Sequence, residues 1–294
     1  MRRPWVLLVA VVLFAVFTYD AVIRSLLAAL VALPSVPGGL KVLTAVLALF
    51  SVTHAWYSIG GRLTAAFFVL SAVISWAYEQ VGVMTGLVFG AYHYTDYLGT
   101  KLGDVPLLIP LAWFMMIYPS YVIANLVTEG RPVGTPGGAW RLVRLAAISA
   151  TVMTLWDLVI DPVLSGPSVK AWIWETGGPY FGIPIQNYLG WLLTTFTVFL
   201  VYRAIEQRWA ELGWPSAQNR QATLGPAVVA LPVAAYGLML AADLLSGAAP
   251  AGLVFIGPVA MGLPLVAAAW RLARLTGGAR DPALGPARRA AGTG

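Results

Sequence analysis

Asp157 and Asp161 stand four residues apart in LWDLVIDP, inside a long apolar run, and Glu79 has a similar setting in WAYEQVG. Four residues of helix bring two side chains onto one face. Two carboxyls sharing a low-dielectric site seldom both ionise, so one of them tends to hold a proton at neutral pH. A protonated carboxyl beside an ionised one is equipped for general acid and base chemistry, and it suits a substrate with no polar handle. A plainer reading is structural. The pair then caps a helix that Pro162 ends, or it pairs with Lys170, Arg24 or tyrosine hydroxyls.

Aromatic residues crowd the same stretches: Trp76, Tyr78, Tyr92, Tyr94, Tyr97, Trp156, Trp172, Trp174, Tyr180 and Trp191. They read either as an interfacial belt or as the lining of a long apolar ligand whose transient positive charge the rings would stabilise. His93 belongs to an outer loop and His54 to the inner half of the second span. Two histidines at different depths make no metal site, and no cysteine is present. Gly82, Gly86 and Gly90 recur every four residues, a spacing that suggests close helix packing. No phosphate-cradling or zinc-protease motif occurs.

Positioning such groups requires membrane helices. The 294 residues are 59% apolar and only 10% charged, whereas a soluble chain carries about 25% charged residues. Windows of roughly 20 apolar residues can each cross a bilayer. Eight spans fit, at about 4–33, 40–59, 62–85, 105–128, 140–164, 187–210, 225–246 and 251–275, within a few residues at each end. The fold class is therefore all-α, a polytopic bundle forming a single domain over residues 1–276. The first span is too long to be straight and is expected to tilt or break near Asp20. Residues 277–294 lack apolar pattern and read as a disordered cytoplasmic tail.

The charges orient the bundle. Arginine outnumbers lysine fifteen to three. With both termini on one side, that side collects fourteen arginines, while Lys41, Lys101 and Lys170 fall on the other and Arg24 is buried in the first span. This positive-inside asymmetry puts both termini in the cytoplasm. It also accounts for the basic balance without a nucleic-acid partner. Arginine in place of lysine, with abundant alanine, glycine and proline, suggests a GC-rich prokaryotic genome, and so a prokaryotic cytoplasmic membrane. Glu79 lies 17 residues beyond Arg62, roughly 25 Å along a helix, near the outer face. Asp157 and Asp161 reach a similar height, and Asp243 is near the outer end of the seventh span. Asp96, Asp104 and Glu175 belong to outer loops. The acids thus gather on the cation-poor side, and intramembrane acids call for a functional reason.

Two stretches carry a family pattern. The first, residues 76–125, contains E-x2-G-x2-TG-x2-FG-x-Y-x-YT followed by VPLLIPLAWF. The second, residues 155–191, contains DP, W-x-W and G-x-YFG-x-P-x2-N-x2-GW. Together they resemble the membrane carotenoid-biosynthesis proteins of the bisanhydrobacterioruberin hydratase and γ-carotene (lycopene) 1′-hydratase type. The resemblance implies addition of water to the terminal double bond of an acyclic carotenoid end group, giving a tertiary alcohol, without redox cofactor or metal. That chemistry fits the carboxyls read above and makes Asp157, Asp161 and Glu79 the expected acid/base set, although matching the family pattern does not by itself assign the roles. Asp96, Tyr94, His93, Glu175 and Asn187 would then position water or support the acids, and Trp156, Trp174, Tyr180 and Trp191 would line the cation site. The implied partners are the carotenoid, the lipid bilayer and other enzymes of the carotenoid pathway. Two readings compete. A carotenoid cyclase or other prenyl-end enzyme would lose a proton from the same cation, and a small-solute transporter would use the outer acids for coupling.

Overall fold

The computed structural model describes residues 3–134, 136–213 and 224–277. Its helices are α1 (Pro4–Phe17), continued by a π-helical turn (Thr18–Ile23) and α2 (Arg24–Leu27), then α3 (Gly39–Ile59), α4 (Gly61–Thr85), α5 (Leu108–Glu129), α6 (Ala139–Leu164), α7 (Ile185–Glu211), α8 (Pro226–Leu245), α9 (Leu253–Ala260) and α10 (Gly262–Gly277). Among the described residues, eight helical segments are long and apolar enough to cross a membrane, from Pro4–Leu27 to Leu253–Leu275. The chain is a helical membrane protein. Outward-facing residues such as Leu8, Val69, Val73, Phe255 and Val266 are apolar, as a lipid-facing surface requires. The expected tail falls, apart from Gly277 at the end of α10, outside the described residues.

The first span is shorter than hydropathy suggests, ending at Leu27, and the expected break near Asp20 is the π-turn. The extra residue in that turn buries Asp20, which accepts from the Val36 amide at 2.6 Å and pairs with Arg24 at 3.2 Å. Tyr19 donates to the Pro34 carbonyl. The segment between α2 and α3 is thereby tied down. Arg24 is only partly buried, its side chain 34% exposed, because its partner lies one turn away on the same face.

The core is centred on α5, which packs against α3, α4, α6, α8 and α10. Prolines inside three helices decide much of this packing. A proline has no N–H for the carbonyl four residues back, and that carbonyl must find another donor. Pro119 frees Met115 O, which accepts Ser51 Oγ from α3 at 2.7 Å. Pro232 frees Val228 O, which accepts His54 Nε2 at 2.8 Å, while Tyr118 holds the other ring nitrogen. Pro162 frees Leu158 O, which accepts the Tyr180 hydroxyl at 2.8 Å. Contrary to the sequence reading, Pro162 does not end α6, which runs on to Leu164.

At the Arg62 end, Arg203 is buried and donates to Asn125 Oδ1 and Ser149 Oγ, with its guanidinium over the Tyr121 ring. Tyr121 in turn donates to Glu206 and accepts from the Gly134 amide. At the opposite end, short strands join two loops. β1 (Tyr92–Tyr94), after α4, pairs antiparallel with β4 (Trp172–Trp174), after α6. The hairpin β2 (Lys101–Leu102) and β3 (Val105–Pro106) lies between β1 and α5.

The glycines of the four-residue repeat have three separate tasks, none of them helix-on-helix contact. Gly82 leaves room for the Phe89 ring, which is wedged from the other side by Gly190 of α7. Gly86 closes α4 at φ +68° and Gly90 turns the chain at φ +102°.

Ser51→Ala strands the Met115 carbonyl and should cost about 1–3 kcal/mol, read as a lower unfolding midpoint in detergent. In a Pro119→Ala background, which restores the N–H, the same change should cost clearly less. Equal costs in both backgrounds would refute the proline explanation.

Candidate functional site

The β1–β4 ladder decides which loop residues face inward. Side chains alternate along a strand, so Tyr92 and Tyr94 point to one face and His93 to the other. Across the ladder, Trp174 and Trp172 share the inward face and Ile173 does not. Tyr92 meets Trp174 at a ring separation of 5.0 Å and Tyr94 meets Trp172 at 6.0 Å. Four aromatic side chains, each with a hydrogen-bond donor at its tip, are thus presented to the helices beneath.

Each strand grips one carboxyl. Glu79 of α4 accepts from the Tyr92 hydroxyl in a short hydrogen bond, from Tyr94 at 2.8 Å and from Trp113 Nε1 of α5 at 3.1 Å. Asp161 of α6 accepts from Trp172 Nε1 at 2.8 Å and Trp174 Nε1 at 3.3 Å. Asn187, one turn into α7, joins the aspartates: its Nδ2 donates to Asp157 Oδ2 and to Asp161 Oδ2, both at 2.8 Å. Glu79 and Asp161 each hold three donors, and Asp157 holds one. All three carboxyls are at most 4% exposed.

These groups face a cavity of about 550 Å³, a size typical of small-molecule sites, roughly 300–1,000 Å³. Its polar wall comprises Glu79, Tyr92, Tyr94, Asp157, Asp161, Trp172, Trp174 and Asn187. Its apolar walls include Leu40, Leu43, Ile109, Ala112, Ile160 and Met239. An aromatic series crosses it: Trp113 stacks on Trp191 at 4.1 Å, and Trp191 meets Trp156 edge-on at 5.9 Å. Asp20, Arg24, Tyr97 and Asp243 also line the cavity.

Of the sequence candidates, Glu79, Tyr94, Trp156, Asp157, Asp161, Trp174, Asn187 and Trp191 are brought together here. Four are not. His93 and Glu175 pair with each other at 3.2 Å on the exposed face of the ladder, their side chains more than half exposed. Asp96 projects into solvent, 3.9 Å from Lys101. Tyr180 lies behind the wall, bracing α6 through Leu158. The aspartates pair with neither Lys170 nor Arg24, since Arg24 is taken by Asp20. The aromatic group divides as well: Trp76 caps the Leu102 carbonyl and Tyr78 bonds Thr197, both outside the cavity lining.

Trp113, Asp20 and Asp243 were not among the candidates. Trp113 lies within the VPLLIPLAWF stretch, which flagged it by motif and not by chemistry. Asp243 was legible as an intramembrane acid, but no spacing rule linked it to residues 157 and 161. Among the described residues, no three of His, Asp and Glu converge to hold a metal ion.

Burial, together with the neighbouring Glu79 charge, holds the Tyr92 and Tyr94 phenols well above the ordinary tyrosine value of 10.0. Burial pushes Tyr180 up to about 12. The folded protein therefore keeps protons that the unfolded chain releases near pH 10, so the associated stability is complete below that pH and is lost as pH rises beyond it. The unfolding midpoint in detergent should fall steadily above pH 10, with the tyrosinate absorbance of Tyr92 and Tyr94 appearing only as the protein unfolds. Early tyrosinate absorbance from all twelve tyrosines in still-folded protein would contradict this placement.

No solved structure matches the chain. A curated relative, bisanhydrobacterioruberin hydratase of Haloarcula japonica, is 36% identical over 135 residues, covering 46% of this chain and 43% of that protein. The chain therefore matches less than half of that relative's length. The family described as carotenoid biosynthesis protein matches residues 40–268, a range holding Glu79, Asp157, Asp161, Asn187 and Asp243. The chain belongs to this carotenoid biosynthesis family.

Proposed function

We propose that this carotenoid-modifying enzyme is a hydratase that adds water across the terminal C-1′/C-2′ double bond of an acyclic carotenoid end group, without a cofactor. The observation that carries this reading is the meeting of three buried carboxyls and a tryptophan series in one largely apolar cavity. The named activity of the Haloarcula relative supports it.

Asp157 is the proton donor on this reading. Glu79 and Asp161 are saturated with donors, as suits ionised carboxylates, whereas Asp157 accepts only one hydrogen bond and has an oxygen free to carry hydrogen. Its O–H bond breaks as the C-1′/C-2′ π pair forms a C–H bond at C-2′, leaving a tertiary cation at C-1′. The fixed charges of Asp161 and Glu79 and the faces of Trp156, Trp174 and Trp191 offset that cation. Water then forms the C–O bond and gives a proton to a carboxylate. Leu40, Leu43, Ile109 and Met239 would hold the polyene, and the dry surroundings protect the cation from side reactions. With the arginine-rich end of the bundle in the cytoplasm, as the positive-inside asymmetry favours, this site would face the outer leaflet of the cell membrane.

Expression in a host that makes lycopene or γ-carotene tests the reading. Hydration adds the mass of one water per end group, while cyclisation adds none. Unchanged pigments, with the protein present in the membrane, would count against both. Asp157→Asn should lower conversion at least ~100-fold, the usual scale for loss of a general acid. Asp161→Asn with full activity at equal protein level would remove Asp161 from the set.

A further inference from the structure

Asp243 is 5% exposed and Trp156 3% exposed, both line the cavity, and neither is used in the proton transfer above. The Trp156 indole N–H faces the Asp243 carboxyl. That contact falls short of hydrogen-bond geometry, so Trp156 Nε1 and Asp243 Oδ2 are both buried without a well-formed partner. Buried polar atoms are rarely left unpaired, and an unpaired one calls for an explanation. Here an orphan donor and an orphan acceptor from two helices, α6 and α8, lie side by side on a cavity wall. A small molecule that accepts one hydrogen bond and donates another satisfies both, and water does so. Trp156 directly precedes Asp157 in α6, which keeps this pair close to the proposed proton donor.

We infer that Trp156 Nε1 and Asp243 Oδ2 hold the water that is added to the substrate, and that Asp243 takes its proton. The inference rests on the hydratase reading. Trp156 donates to the water oxygen and Asp243 accepts one of its hydrogens, which directs an oxygen lone pair toward the cation. As the C–O bond forms, one water O–H bond breaks and its proton passes to Asp243, so the carbon skeleton gains the elements of one water. Of the buried carboxyls lining the cavity, Asp157 begins with the proton, Asp20 is taken by Arg24 and the Val36 amide, and Glu79 and Asp161 are occupied by three donors each. Asp243 is the one with a buried oxygen still open.

Membranes carrying the full chain, given lycopene in heavy water, separate the steps. The cation can either capture water or return a proton from C-2′, and the second outcome leaves deuterium in recovered lycopene. Asp243→Asn should lower hydration ~100-fold, the lower end of a general base contribution, with deuterium in recovered lycopene at or above the wild-type level. Trp156→Phe should lower hydration about tenfold, equivalent to one hydrogen bond, again with exchange retained. Asp157→Asn should lose both signals. Hydration by Asp243→Asn within threefold of wild type would overturn the assignment. If Asp243→Asn loses both signals, Trp156→Phe decides: hydration lost with exchange kept supports the water site, and any other pattern overturns it. Absence of hydrated product from the wild type would instead remove the hydratase reading itself.

Discussion

Inside a bilayer, a polar group that gives up water must find its hydrogen bonds within the protein, and this requirement organises both halves of the molecule. The same rule explains the proline-freed carbonyls of Met115, Val228 and Leu158 and the caged carboxyls of Glu79 and Asp161. In each case a donor is brought from a different element, so satisfying one atom also fixes two elements relative to each other. His54 joins α3 to α8 in this way, Ser51 joins α3 to α5, and Asn187 joins α7 to α6. The catalytic candidates are held by the same kind of bond that holds the fold.

The β1–β4 ladder shows why a helical bundle carries strands at one end. A helix also brings residues four apart onto one face, but these donors come from the two loops that close the bundle end, where only paired strands can hold them in register. A strand presents them every second residue. Tyr92 and Tyr94 can therefore converge on Glu79, and Trp172 and Trp174 on Asp161, while the pairing of the strands fixes the two acids relative to each other. The wedged Phe89, between Gly82 and Gly190, anchors the start of β1 to α4 and α7. Rigid supports of this kind keep reacting groups in place without cost at the moment of reaction.

Much of this was legible in the sequence, and the limits have physical causes. The eight spans follow from hydropathy, and the common depth of Glu79, Asp157 and Asp161 follows from helix rise and alternating direction. Asn187 and Trp174 came from motif spacing. What could not be read is the sign of a loop side chain: whether His93 or Tyr94 faces inward depends on pairing with a strand some 80 residues away, and no local period encodes it. His93, Asp96 and Glu175 consequently went to the solvent face. The break at Asp20 was visible as excess length, but the π-turn that produces it was not. The glycine repeat misled because identical spacing served three unrelated tasks.

On the proposed reading, the difference between hydratase and cyclase reduces to what meets the tertiary cation first. Protonation, charge stabilisation by carboxylates and stacking on tryptophan would serve either outcome equally well. A cation in a dry pocket loses a proton or closes on a neighbouring double bond, whereas a water already bound within reach captures it. Bulk water is no substitute, because enough of it to ensure capture would also solvate Asp157, Asp161 and Glu79 and abolish the low-dielectric setting that makes them effective. A hydratase of this design therefore needs one specifically held water in an otherwise apolar cavity. The orphan pair on Trp156 and Asp243 is the place in this cavity where one donor and one acceptor stand together with no other partner.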